Sequence, residues 1–332
     1  MRQPLVLQAE AYRGQSYFVM TRNGHTENVV ELTRRYVSEP IVEVPNFAAF
    51  LEQTAPAIQG ASVIVALGDS RTSNFSNWPR AVAKCDARDV EAVVVNLADW
   101  ARTCEEHVPV LQFYLDWLKS HGAAQADIVV VLGLTDIVNK IDLFADFMKS
   151  QRSEPVSDAE IGLRDHKYGS ELARLGDDIP TEWADAYQWV PRRILAAAKL
   201  LDRLCADAGR RFFAILEPTA YEDCAPGYIT ALHAAYEAEA DRSTPFDDWC
   251  IARNYAHNPS IHRVYDLRGM LETLRELWRA QDLRSNHGRY IDWSDLFRDI
   301  EECCFQSHFD AVHYNERGVG EIARAAADIL RR

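Results

Sequence analysis

The stretch Ala61-Ser62-Val63-Ile64-Val65-Ala66-Leu67-Gly68-Asp69-Ser70-Arg71-Thr72 opens on an apolar, β-branched run and breaks into a polar turn. A run of that length without polar alternation is that of a strand buried on both faces, as in a parallel sheet. Gly68 permits a sharp exit from the strand. A serine just past the end of a buried strand stands on the rim of the sheet, where α/β proteins place ligands and chemistry. Ser70 is therefore the first candidate nucleophile. Taken alone, Gly-Asp-Ser is equally a plain turn, since a given tripeptide of common residues arises by chance in roughly one chain of this length in ten. The flanking chain has to decide.

Downstream, the pattern alternates. Residues 78–85 read as a short helix with Pro79 in its first turn, where a missing N–H costs nothing. Residues 91–97 read as a second strand. Residues 103–121 carry Val108, Leu111, Leu115 and Leu118 at helical spacing, closed by Gly122. Residues 127–132 are a third strand ending at Gly133. Residues 183–208 form a long helix stopped by Gly209, and 211–216 a fourth strand ending at Glu217-Pro218. Residues 260–267 are the expected fifth strand. Residues 315–332 are a closing helix that packs on the sheet through Val319, Ile322, Ala326 and Ile329. Strands alternating with helices predict an α/β fold: a three-layer α/β/α sandwich, flavodoxin-like, with about five parallel strands. It is expected as one domain over 61–332, with insertions near 151–182 (a lid), 221–257 and 268–304. Residues 1–60 read as an N-terminal extension. It holds a hairpin of 16–22 and 25–30 about Asn23-Gly24, which suits a two-residue turn, and a short helix capped by Asn46.

The chain has 332 residues, 48% of them hydrophobic, and a formal net charge of −14. No basic stripe is present, which argues against nucleic acid and against an anionic membrane surface as partners. The first residues lack the apolar core and cleavage site of a secretory signal, and no apolar run approaches the ~18–20 residues of a membrane span. Seven cysteines, at 85, 104, 205, 224, 250, 303 and 304, form no C-x-x-C pair. Neither a disulfide framework nor a zinc site is suggested, and a reducing, cytoplasmic setting is the expectation.

A serine nucleophile needs a base, and the base needs an orienter. Ten histidines are present. His313 stands out because it lies just before the closing helix, in Ser307-His308-Phe309-Asp310-Ala311-Val312-His313-Tyr314, with Asp310 three residues earlier. A serine after the first strand of the parallel core and an Asp-x-x-His before the last helix resemble the SGNH (GDSL-type) hydrolase family. Gly68-Asp69-Ser70 matches its nucleophile block, and Asp310 with His313 its last block. Asn96-Leu97-Ala98-Asp99-Trp100-Ala101-Arg102-Thr103 corresponds to the second block, and Gly133-Leu134-Thr135-Asp136 to the third. The resemblance covers roughly 61–332, with the blocks in the family's order.

The resemblance implies Ser70 as nucleophile, His313 as base and Asp310 as its orienter. It also implies an oxyanion hole from the amides of Ser70 and position 101 and a donor at position 135. There the chain departs from the family: Ala101 stands where a glycine is usual, and Thr135 where an asparagine is. Thr135 offers a shorter, rotating hydroxyl, and Asn139 one helical turn on reads either as a solvent-facing residue or as a substitute donor. The implied activity is a serine-dependent carboxylic ester hydrolase acting through an acyl-enzyme, without cofactor, on a small-molecule or carbohydrate ester. The alternatives are an O-acyltransferase that moves an acetyl group to a sugar or metabolite hydroxyl, and a non-catalytic binding protein of the same fold.

Other signals carry less. Gly318-Val319-Gly320-Glu321-Ile322-Ala323 fits a loose dinucleotide pattern but follows no strand, and reads as packing at a helix start. His308, Asp310 and His313 lack a fourth metal ligand. Vicinal Cys303-Cys304 reads as two free thiols. Trp100, Trp183, Trp189, Trp278 and Trp293 read as core or lid residues before cleft residues, with Trp100 the best placed for a cleft.

Overall fold

The structure is a computed structural model. It describes residues 55–56, 58–72, 78–85, 92–98, 102–138, 183–221, 223–239, 243–253, 267–283, 287–307 and 310–331, and the backbone alone of 5–12, 15–22 and 25–33. Its centre is an eight-stranded sheet in the order β3-β2-β1-β5-β4-β6-β7-β8. The strands are β1 Leu5–Tyr12, β2 Gln15–Arg22, β3 His25–Thr33, β4 Ser62–Leu67, β5 Ala92–Asn96, β6 Gln125–Leu132, β7 Arg211–Leu216 and β8 Gly288–Asp292.

The five strands β5-β4-β6-β7-β8 pair in parallel throughout. This is the 2-1-3-4-5 order of a flavodoxin-like sheet, in which the chain reverses its direction of travel beside β4. Right-handed crossovers then force helices onto opposite faces on the two sides of the reversal. Helix α1 (Trp78–Cys85), between β4 and β5, covers one face. Helices α2 (His107–Ser120), α3 (Trp183–Asp207) and α6 (Leu267–Asp282) cover the other. α4 (Pro226–Glu239), α5 (Phe246–Arg253) and the closing helix α7 (Glu316–Arg331) lie on the α1 side.

β4 shows why both faces are sealed. Val63, Val65 and Leu67 enter one core, while Ile64 and Ala66 enter the other. All six residues of β4 are buried. Successive side chains on a strand point to opposite faces, so a run that is apolar at every position feeds two layers.

The N-terminal hairpin is present as expected, with Arg22 opposite His25 and Thr21 opposite Thr26. Its pairing goes further. β1 joins β5 in parallel, and β2 and β3 follow antiparallel, so the extension lengthens the sheet by three strands. The fifth parallel strand needs a correction: it is β8, Gly288–Asp292, and not 260–267. Residues 260–266 lie outside the described residues, and Leu267 begins α6. The expected lid at 151–182 and the Asn46 helix also lie outside them. Among the described residues no helix is long and apolar enough to cross a membrane.

Beyond the sheet, β9 (Phe305–Ser307) and β10 (Asp310–Tyr314) form a small antiparallel pair that leads into α7.

Candidate active site

Three strand ends converge at the carboxyl edge of the sheet, beside the reversal. At the first, β4 turns at Gly68, whose φ is +155°. A Cβ there would stand 2.9 Å from the Val131 carbonyl oxygen and collide with the Thr72 side chain, so only glycine lets the turn nest against β6. The Asp69 carbonyl accepts the Thr72 N–H at 3.0 Å, and Asp69 Oδ1 accepts the Arg71 N–H at 2.8 Å. Both the Asp69 and the Arg71 side chains are buried in this turn.

Ser70 lies between them, 9% exposed. Its Oγ is 2.9 Å from His313 Nε2, across 243 residues of sequence. A nucleophile hydroxyl within hydrogen-bond reach of an imidazole is the geometry required for activation by a general base. The structure thus brings Ser70 and His313 together. Asp310 opens the strand that carries His313. A regular strand would send positions three apart to opposite faces, but the register jumps between Asp310 and Tyr314, where Ser307 and Phe305 are their partners. That bulge interrupts the alternation. The Asp310 side chain and His308 lie outside the described residues.

The neighbouring strand ends are tied to the Ser70 turn. At the end of β5, Asn96 Nδ2 donates to the Thr72 carbonyl at 2.7 Å, and Asn96 Oδ1 accepts the Ala98 N–H at 3.0 Å. Trp78 Nε1, at the start of α1, donates to Thr72 Oγ1 at 3.1 Å. His107, in the first turn of α2, places Nε2 3.1 Å from the Gly68 amide nitrogen and 3.0 Å from the Gly68 carbonyl oxygen, so the ring tautomer decides whether it accepts or donates there. Burial, with the charge of Arg102 adding, pushes the His107 pKa down to about 3, so the ring is neutral and can accept. Asp136 joins the second and third loops. It accepts the Cys104 N–H at 2.6 Å and the Gly133 N–H at 3.3 Å. Ala101, Asp99, Trp100 and Asn139 lie outside the described residues.

Beneath Ser70 sits a buried ionic cluster that sequence reasoning did not single out. The Arg71 guanidinium, with its side chain 1% exposed, pairs with Asp69 through Nε and Nη2 and with Glu217 Oε2 at 2.8 Å through Nη1. Its Nη2 also donates to Thr135 Oγ1 at 2.9 Å. Glu217 follows β7, and its Oε1 accepts the Leu134 N–H. Burial works against an ionised Asp69, but Arg71 outweighs it and holds the carboxyl below its ordinary range. For Glu217 burial prevails: its pKa is pushed up to about 8, with Asp69 adding and Arg71 opposing. The sequence signals for this cluster were an arginine directly after the serine and a glutamate at a strand end. The Thr135 hydroxyl thus belongs to the Asp69–Arg71 cluster as well as to the third loop.

The tryptophans divide. Trp278 and Trp293 are buried in the two cores, and Trp278 Nε1 donates to the Ala214 carbonyl at 3.2 Å. Cys303 and Cys304 are both free thiols. Gly318 packs at the start of α7, where a Cβ would collide with the Cys304 carbonyl oxygen.

Comparison with protein-family models and with curated proteins finds no match. Among solved structures, the chain is similar to a member of the lipolytic protein G-D-S-L family from Veillonella parvula, at 14% identity and a TM-score of 0.43, over 82% of this chain and 100% of that one. It is also similar to protein YXIM of Bacillus subtilis, at 13% identity and a TM-score of 0.40, over 82% of this chain and 57% of that one. A third similarity is to the lipase Lip_vut3 from a goat rumen metagenome, at 13% identity and a TM-score of 0.35, over 80% and 97%.

Proposed function

We propose that this chain is a serine-dependent carboxylic ester hydrolase that works through an acyl-enzyme on a small-molecule or carbohydrate ester. The observation that carries the reading is the 2.9 Å contact between Ser70 Oγ and His313 Nε2, at the carboxyl edge of a parallel sheet where its strand order reverses. In this mechanism Ser70 Oγ attacks the ester carbonyl and His313 Nε2 takes its proton. A tetrahedral intermediate forms, with its oxyanion received by the Ser70 and Ala101 amides and the Thr135 hydroxyl. His313 returns the proton to the leaving alcohol, and the acyl group stays on Ser70. Water, deprotonated by His313, then releases the acid. Asp310 holds the His313 tautomer and stabilises the imidazolium.

A fluorophosphonate probe followed by intact mass measurement tests the nucleophile. The wild type is expected to gain one adduct and Ser70→Ala none; a wild type that gains no adduct excludes the mechanism. Asp310→Asn should keep the adduct but form it slowly, with kcat on a short p-nitrophenyl ester lower by about 10²–10⁴-fold, the range in which such an orienter acts. Added alcohol acceptors distinguish transfer from hydrolysis through the appearance of a new ester.

A further inference from the structure

The interior of the site holds a cation that the mechanism above leaves without a task. Arg71 follows Ser70 in the chain and is almost wholly buried between the Asp69 carboxylate and the Glu217 carboxyl group. Ion pairs of this kind are a weak source of stability, since apolar replacements are often neutral or better. Its remaining contact is with Thr135 Oγ1, at 2.9 Å, the hydroxyl that the proposed mechanism assigns to the oxyanion.

A threonine hydroxyl has one proton and two lone pairs, and it rotates. Arg71 Nη2 donates to Thr135 Oγ1 at 2.9 Å, so one lone pair is held from the inside. A guanidinium cannot accept, so the hydroxyl proton has to point elsewhere. At rest it can reach the Asp69 carboxylate, which is stabilised by Thr135 as well as by Arg71. Yet Asp69 already receives Arg71 N–H at 2.8 Å, Nε at 3.2 Å and Nη2. A carboxylate offers about four acceptor sites, so it remains paired when the Thr135 proton leaves. A charged donor on Oγ1 also polarises the O–H and makes it a stronger donor in its turn. Arg71 is itself kept in place by Glu217, and Glu217 by the Leu134 N–H next to Thr135.

We propose that Arg71 is a positioning residue that acts through Thr135: by holding the inward lone pair of Thr135 Oγ1 and saturating Asp69, it releases the Thr135 hydroxyl proton to the oxyanion formed at Ser70. This rests on the serine-nucleophile reading above.

A double-mutant cycle tests it, with kcat/KM on a short p-nitrophenyl ester and the fluorophosphonate labelling rate as readouts. Thr135→Val removes the hydroxyl without changing its shape. It should lower kcat by about 10²-fold at nearly constant KM, as loss of one oxyanion donor does. Arg71→Met should cost about 10–10²-fold in the wild-type background but less than about threefold in the Thr135→Val background, because the two changes remove one interaction. Equal losses in both backgrounds overturn the proposal, since the guanidinium would then act without the hydroxyl. If circular dichroism shows Arg71→Met unfolded, Arg71→Lys enters the same cycle, keeping the charge but not the planar fork. Thr135→Ser should retain activity to within about fivefold of wild type while Arg71 is present, but not in the Arg71→Met background; retention in both backgrounds again overturns the coupling. A wild type that never labels fails the Ser70 reading itself and this assignment with it, whereas a labelled wild type with additive losses fails the Arg71 assignment alone.

Discussion

Gly68 is the residue on which the site is hung. Its φ of +155° and the proximity of the Val131 carbonyl leave no room for a side chain. Gly68→Ala should destabilise by about 2–5 kcal/mol, from backbone strain and overpacking together, and should abolish labelling of Ser70. Gly133 has a similar φ of +146°, but a Cβ there would meet side-chain atoms, of Glu217 and Leu216, at 3.0 Å. Side chains yield where backbone does not, so Gly133→Ala should cost less; urea denaturation midpoints that reverse this order contradict the account. Ser70 and His313 were legible in the sequence because each stands next to a structural break, the end of a buried strand and the start of the last helix. Arg71 and Glu217 were not. A buried ion pair links positions far apart in the chain, and nothing local to either distinguishes it from a solvated charge.

Among the elements, α7 has the most direct hold on the site, because it begins just after His313. Asn315 fixes that junction. Its Oδ1 accepts the Gly318 N–H at 3.1 Å as an N-cap, and its Nδ2 donates to the carbonyls of Cys303 at 2.7 Å and Phe305 at 2.8 Å. Asn315→Ala removes the cap and leaves two carbonyls without this donor. The expected cost is about 2–3 kcal/mol, with a lower kcat and little change in KM because His313 is loosened and not removed. A variant with wild-type kcat would show that α7 does not position His313. Legibility at this scale followed composition. β4, β6 and β7 are apolar and buried along nearly their whole lengths, and such runs announce themselves. β8, Gly-Arg-Tyr-Ile-Asp, is only partly buried and carries two charges, so it reads as loop, and the expected fifth strand was put too early. β1 fails for a similar reason: Leu5–Tyr12 mixes polar and apolar residues, and its partner β5 lies far along the chain, with Leu5 paired to Val93.

For the whole molecule, two buried groups shape stability against pH in opposite directions. Glu217 is raised from an ordinary 4.5 to about 8. Between those values the folded chain holds a proton that the unfolded chain has released, so stability falls as pH rises through the window. His107 is lowered from 6.5 to about 3. There the unfolded chain holds the extra proton, so stability falls as pH drops. Their windows overlap between about 4.5 and 6.5, where the two slopes oppose each other. Above that range Glu217 acts alone. Thermal midpoints of Glu217→Gln should therefore decline less than those of wild type between about pH 6.5 and 8; parallel curves would mean that Glu217 titrates no differently in the fold than out of it. The layer arrangement, by contrast, was readable from the sequence as a whole, because alternation of strand and helix is a property of the entire chain and survives errors at any one element.

The 243 residues between Ser70 and His313 also have a meaning in time. A chain emerging from the ribosome at ~5–20 residues per second presents the Ser70 turn roughly 12–50 seconds before His313 exists. Throughout that interval the serine is an ordinary alcohol, and the proposed activity begins only when the last strand and helix are in place. Probe labelling of arrested nascent chains would then date the closure of the fold itself, since reactivity and complete folding should appear at the same chain length.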